Sequence, residues 1–180
     1  CARRPPRGLM LYAIGDIHGR LDKLDALLAA LPLGPGDRLI FLGDYVDRGR
    51  DSAGVGDRLV EIADAYPCTF LLGNHESMFL DYLGWRGASY FGSDVFLANG
   101  GDATLASYGF GTDPEQMRLP AKHEAFFKAL RLHHAEGGIH HALADDRPAW
   151  LTTEGEPFDD VIEISTLGIP NWRERTFNHI

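Results

Sequence analysis

The chain has 180 residues, 44% of them apolar and 24% charged, which suits one soluble globular domain and makes two full domains unnecessary. Seventeen Lys and Arg against 26 Asp and Glu leave a net charge of −9, which argues against general electrostatic binding to DNA, RNA or an anionic membrane. Two cysteines, Cys1 and Cys68, make no disulfide framework, and no apolar stretch approaches the ~20 residues needed to cross a bilayer. The expectation is a cytoplasmic protein with neither nucleic-acid nor membrane partner.

The start, residues 1–8, is basic and Pro-rich and reads as a flexible segment. No long apolar run follows it, so it does not read as a signal peptide, and an opening on Cys1 suggests a preceding piece. One pattern then repeats three times. Leu9–Ile14, Arg38–Leu42 and Thr69–Leu72 have the length and content of buried strands, and each is cut by Gly plus a short polar residue: Gly15-Asp16, Gly43-Asp44, Gly73-Asn74. A helical stretch follows each turn. The apolar faces are Leu21, Leu24, Leu27, Leu28 and Leu31; then Val55, Leu59, Ile62 and Ala63; then Met78, Phe79 and Tyr82. Strand, turn and helix in alternation predict parallel strands with crossover helices, the three turns converging at the carboxyl ends of the strands. Residues 84–108 read as loops with short helices and Glu124–Leu132 as a helix. Gly137-Gly138 reads as a break, and Ile139–Leu143 and Val161–Ile164 as short strands.

Taken one at a time, the turns have ordinary explanations. Asp16 and Asn74 are good helix caps, Asp47 and Arg48 make an unremarkable surface pair, and His18 and His75 sit comfortably in water. Taken together they place Asp, Asp and Asn at the same position of three neighbouring strand ends. A cluster of hard ligands for divalent cations is the simpler single cause. Asp16 and His18, two apart in an extended segment, face one side and can grip one ion. Carboxylate and imidazole without thiolate suit Mn, Fe or Zn. Asp44 could bridge two ions, Arg48 can pair bidentately with phosphate, and His75 could hand a proton to a leaving group.

GDIHG at 15–19, GDYVDRG at 43–49 and GNHE at 73–76 resemble the calcineurin-like metallophosphoesterase signature, in the form found in the phosphoprotein phosphatase branch. Asn99-Gly100-Gly101-Asp102-Ala103-Thr104-Leu105 with Tyr108-Gly109 is similar to the bacterial serine/threonine phosphatases. The resemblance spans about residues 10–110. It implies a four-layer α/β/β/α sandwich with the metals at its rim, and two divalent ions: Asp16 and His18 on the first, Asp44 on both, Asn74 on the second. It further implies Arg48 on the phosphate, His75 as general acid oriented by Asp47, and direct attack by a metal-activated water without a phosphoenzyme.

The pattern is incomplete downstream. Gly138-Ile139-His140-His141-Ala142-Leu143 is the nearest match to a later metal-ligand segment, which makes His141 the candidate ligand, with His140 as its rival. The closing Gly-His motif is missing, since Asn178 precedes His179. Arg173 and Arg175 suit exposed charge better than phosphate binding. The expectation is a domain over 9–180 whose C-terminal part is cut short or lost. The leading functional expectation is a phosphoserine/phosphothreonine protein phosphatase. A diadenosine polyphosphate hydrolase is the enzymatic alternative, and a catalytically impaired metal- or phosphopeptide-binding module the alternative of another class.

Overall fold

The computed structural model describes residues 9–85, 91–111, 116–136, 139–142 and 161–164, with residues 135–136 and the last two stretches described by their backbone. Four parallel strands form one sheet in the order β3-β2-β1-β6. They are β1 (Leu11–Ile14), β2 (Arg38–Phe41), β3 (Cys68–Phe70) and β6 (Val161–Ile164). Tyr12 lies opposite Leu39, and Ile14 opposite Phe41. On the other side of β1, Leu11 pairs with Val161 and Ile14 with Ile164. The expected Val161–Ile164 strand therefore sits beside the first one.

The strands alternate as two buried faces demand. Tyr12, Ile14, Leu39 and Phe41 join the main core, while Leu11, Ile40 and Leu71 form a smaller cluster that is equally buried. Helix α1 (Leu21–Ala30) lays Leu24 and Leu28 against the main core, and α2 (Ser52–Ala65) adds Val55, Leu59 and Ile62. Spacings of three and four residues put these side chains on one stripe, and each fully buried aliphatic side chain contributes about 1.5–3 kcal/mol. Asp51 caps α2 by accepting from the Gly54 N–H at 2.8 Å, a contact whose removal costs about 1 kcal/mol.

Helix α3 (Asn74–Tyr82) follows the third turn directly. The Gly-rich middle then folds as α4 (Ser93–Phe96), a widened turn over Leu97–Gly101, and α5 (Asp102–Ser107). Gly100, at φ 91°, kinks that turn where its carbonyl accepts from the Arg48 N–H at 3.0 Å. The predicted Glu124–Leu132 helix is displaced: α6 spans Ala121–Lys128. Its expected last turn is instead pulled into the sheet. Arg131 makes a parallel bridge with Leu71, donating to the Phe70 carbonyl at 3.0 Å and accepting from the Leu72 N–H at 2.7 Å. An unpaired strand edge outcompetes the helical pattern there. A two-stranded antiparallel ladder, β4 (His133–Glu136) with β5 (Ile139–Ala142), follows. The expected basic start at 1–8 and the segment 165–180, with Arg173, Arg175 and His179, lie outside the described residues.

Candidate metal centre at the strand ends

The three turns interlock through their backbones before any side chain is considered. The Ile17 and His18 N–H groups both donate to the Asp44 carbonyl, at 2.9 and 2.8 Å, and Gly19 donates to the Tyr45 carbonyl at 2.8 Å. Contact between turns is close enough to require glycine. A Cβ on Gly49 would stand 2.1 Å from the His18 carbonyl oxygen, and one on Gly73 would stand 2.3 Å from the Asp44 N. His18, Asp44, Asp47 and Arg48 all take positive φ, at 47°, 57°, 70° and 64°, a conformation that ordinary side chains avoid.

Glu76 ties the second turn to the third. Its buried carboxylate accepts from the backbone N–H groups of Asp44 (2.8 Å), Tyr45 (2.7 Å), Val46 (3.1 Å) and Gly73 (2.9 Å). Burial pushes this carboxyl up to about 7, with the Asp44 charge adding to the push and the backbone donors opposing it. Tyr45 closes the turn from below, its buried hydroxyl donating toward the Leu71 carbonyl at 2.7 Å.

The side chains converge as the turns do. Ligand-capable atoms of His18, Asp44 and His75 lie within 4.8 Å of one another, all buried. The His18 Nδ1–H donates to the Val46 carbonyl at 3.1 Å, which fixes the tautomer and leaves the Nε2 lone pair facing the cluster. Burial holds His18 below its usual range and so favours this neutral form. Burial also pushes Asp44 up, with the nearby Asp16 charge adding to it. Asp16 stands at the rim, 44% exposed, with Oδ2 3.8 Å from His18 Nε2. The Arg48 guanidinium reaches both imidazoles, donating to His18 Nε2 at 3.0 Å and His75 Nε2 at 3.1 Å. His75 Nδ1 donates to Asp47 Oδ2 at 2.7 Å.

These contacts dispose of the ordinary explanations. Arg20 occupies the cap position of α1 without a side-chain cap bond, so Asp16 is not a helix cap. Asp47 is wholly buried and paired with His75, so it makes no surface pair with Arg48. Gly73, not Asn74, is the cap of α3. His75 is buried.

The donor set fits a divalent cation. It contains carboxylate, imidazole and amide without thiolate, suited to Mn, Fe or Zn. In the orientation that satisfies both groups, the Asn74 amide nitrogen donates to both Asp44 oxygens, at 3.1 and 3.2 Å. A half-turn of that amide presents its oxygen instead, the atom a cation shared with Asp44 would use. The tightest cluster differs from the expected ligand set in including His75, and Asp16 stands outside it. His141 has its backbone on β5 opposite His134, and His140 lies opposite Ala135; the side chains of both lie outside the described part.

Two further groups at the centre carry no sequence signal of their role. One is Glu76, three of whose four backbone donors come from another turn. The other is Thr104, buried in α5, which donates to Asp47 Oδ1 at 2.7 Å. Thr104 stands in the 99–105 stretch that resembles the bacterial phosphatases, though nothing local ties it to Asp47.

A parallel sheet whose strand ends gather imidazole, carboxylate, amide and guanidinium defines an α/β protein built around a candidate cation centre. This chain belongs to the calcineurin-like phosphoesterases, whose family model matches residues 9–161. It is similar to the symmetrical bis(5'-nucleosyl)-tetraphosphatase of Acidovorax sp. (strain JS42), 32% identical over 147 residues, covering 81% of this chain and 47% of the relative. It is also similar to serine/threonine-protein phosphatase 1 of Salmonella typhimurium, 35% identical over 121 residues, covering 67% of this chain and 46% of the relative. A solved structure described as a putative diadenosine tetraphosphatase shares the fold at TM-score 0.50 and 22% identity, over 82% of this chain and 61% of that one. The chain spans about half the length of the curated relatives it matches.

Proposed function

We propose that this protein is a metal-dependent phosphoester hydrolase acting at the Asp16, His18, Asp44, Asn74 and His75 cluster. The observation that carries this reading is the Arg48 guanidinium spanning the two buried imidazoles beside Asp44. It puts a bidentate phosphate-binding group and a proton carrier within reach of one point. Divalent ions held by this donor set supply a water of lowered pKa and positive charge against the phosphoryl oxygens. Arg48 turns from the imidazoles to the phosphate oxygens when substrate enters. Once Arg48 has left it, His75 Nε2 takes a proton from solvent and passes it to the departing oxygen, with the Nδ1–H held by Asp47 and that buried carboxylate as counter-charge. Asp16 at the rim would help hold one ion, and His141 or His140 is the candidate further ligand for a second.

For substrate, the comparisons reverse the order expected from the motifs. The Acidovorax tetraphosphatase matches over 81% of this chain against 67% for the Salmonella phosphatase, and a structure sharing the fold carries a description kindred to the former. A dinucleoside tetraphosphate is therefore the preferred substrate, cleaved symmetrically with one water into two nucleoside diphosphates. The protein phosphatase reading stands second, supported by the Salmonella relative.

The test is product analysis after loading with manganese, with diadenosine tetraphosphate and a phosphoserine peptide offered separately. ADP as the sole nucleotide product supports the first reading, and phosphate release from the peptide alone supports the second. Hydrolysis of neither, with manganese binding intact, overturns both in favour of a binding module. His75→Ala should lower kcat by about 10²–10⁴. If it instead abolishes manganese binding, His75 is a ligand and not the acid.

A further inference from the structure

We propose that Thr104 is a positioning residue for proton delivery by His75, acting through Asp47; the inference rests on the hydrolase reading above. Thr104 is wholly buried on α5 and more than fifty positions from Asp47 in sequence, yet it holds that residue at two points. Its Oγ1 accepts from the Asp47 N–H at 2.8 Å and donates to Asp47 Oδ1 at 2.7 Å. Ser52 Oγ lies 3.0 Å from the same oxygen. A hydroxyl has one proton and two lone pairs. The Thr104 proton goes to the carboxylate, so the Ser52 hydroxyl donates to Thr104. The chain then runs in one direction: Ser52 O–H to Thr104 O–H to Asp47 Oδ1, with Asp47 Oδ2 receiving the His75 Nδ1–H at 2.7 Å.

Each link restrains the next. Asp47 sits at φ 70°, a backbone conformation that needs an external hold, and the Thr104 oxygen supplies it at the N–H. The second bond stops the carboxylate rotating about its Cβ–Cγ axis, which keeps Oδ2 on His75 Nδ1. That bond in turn keeps Nε2 aimed at the cluster, where Arg48 meets it. Remove the hydroxyl, and Asp47 loses a partner for a buried oxygen together with its backbone anchor. His75 then keeps its place in the core but loses its fixed aim.

Thr104→Val is nearly isosteric and lacks the hydroxyl; Thr104→Ser keeps it. General-acid delivery matters most when the leaving group is a poor one. With manganese-loaded protein, Thr104→Val should therefore lower kcat on a simple alkyl phosphate by about 10–100-fold, as loss of an orienting partner typically does. It should change kcat on an aryl phosphate with an acidic phenol far less, and KM for neither. Thr104→Ser should restore the ratio of the two rates. An equal loss on both esters would assign Thr104 a purely structural role and overturn the proposal.

A second readout needs no turnover. In the proton spectrum, the hydrogen on His75 Nδ1 should appear far downfield in the wild-type protein and in Thr104→Ser, and move upfield or vanish in Thr104→Val. An unchanged resonance in Thr104→Val overturns the proposal even if the wild-type protein hydrolyses nothing. Absence of wild-type hydrolysis alone counts against the hydrolase reading and not against this one.

Discussion

At the residue scale, what distinguishes the centre is strain held in place by hydrogen bonds. Arg48 is exposed and sits at φ 64°. A non-glycine residue there costs about 1 kcal/mol or more. Arg48→Gly should therefore give a more stable protein than Arg48→Ala by about 1 kcal/mol in urea titration, although both remove the proposed phosphate-binding group. Equal stability of the two variants would mean that the turn carries no strain at this position. The types of the candidate site residues were legible in the sequence because Asp16, His18, Asp44, Asp47, Arg48, Asn74 and His75 stand in motifs that neighbouring letters identify. Their geometry was not. Nothing local places Arg48 between two imidazoles, or Thr104 under Asp47.

Among the elements, α2 and α6 are joined by a half-buried polar link around the buried His123. His123 Nε2 donates to Asp57 Oδ1 at 2.6 Å, the Tyr108 hydroxyl lies 3.0 Å from His123 Nδ1, and Lys122 reaches the same Asp57 oxygen at 2.6 Å. Burial lowers His123, while the Asp57 contact pulls it the other way. Lys122 first and then His123 hold Asp57 below its usual range. Both groups are depressed in the folded state, so the unfolded chain binds more protons. Stability is complete above the ordinary imidazole value near 6.5 and falls as acid is added, through the histidine first and the carboxylate later. The urea midpoint should drop between neutrality and pH ~5, and the drop should shrink in His123→Gln; an identical pH dependence in that variant would remove His123 as its cause. The first three strands and helices were readable because their apolar spacing agrees with their burial. Residues 129–132 misled because a strand edge decided their fate, and a helical period contains no information about edges.

On the scale of the whole molecule, cation binding at the proposed centre and folding would be one equilibrium. The proposed ligand groups come from three turns that meet only in the folded chain, so an ion bound by them would stabilise the fold by mass action. The gain is about 2.7 kcal/mol at a hundredfold excess over Kd. Manganese should raise Tm in the wild-type protein, and Asp44→Ala should abolish the rise while leaving the metal-free fold measurable. A full shift in Asp44→Ala would place the binding elsewhere. The parallel order of β1, β2 and β3 followed from the alternation of elements in the sequence, but the place of β6 beside β1 did not, because a four-residue strand far along the chain bears no mark of its neighbour.

The Glu76 carboxylate has one more consequence. Because it gathers amides from two separate turns at the start of α3, those amides cannot be exposed one by one. Native-state deuterium exchange should find Asp44, Tyr45, Val46 and Gly73 opening together with a shared free energy, as a single cooperative unit. Protection that varied independently among the four would mean the carboxylate only fills space, and that each turn breathes on its own.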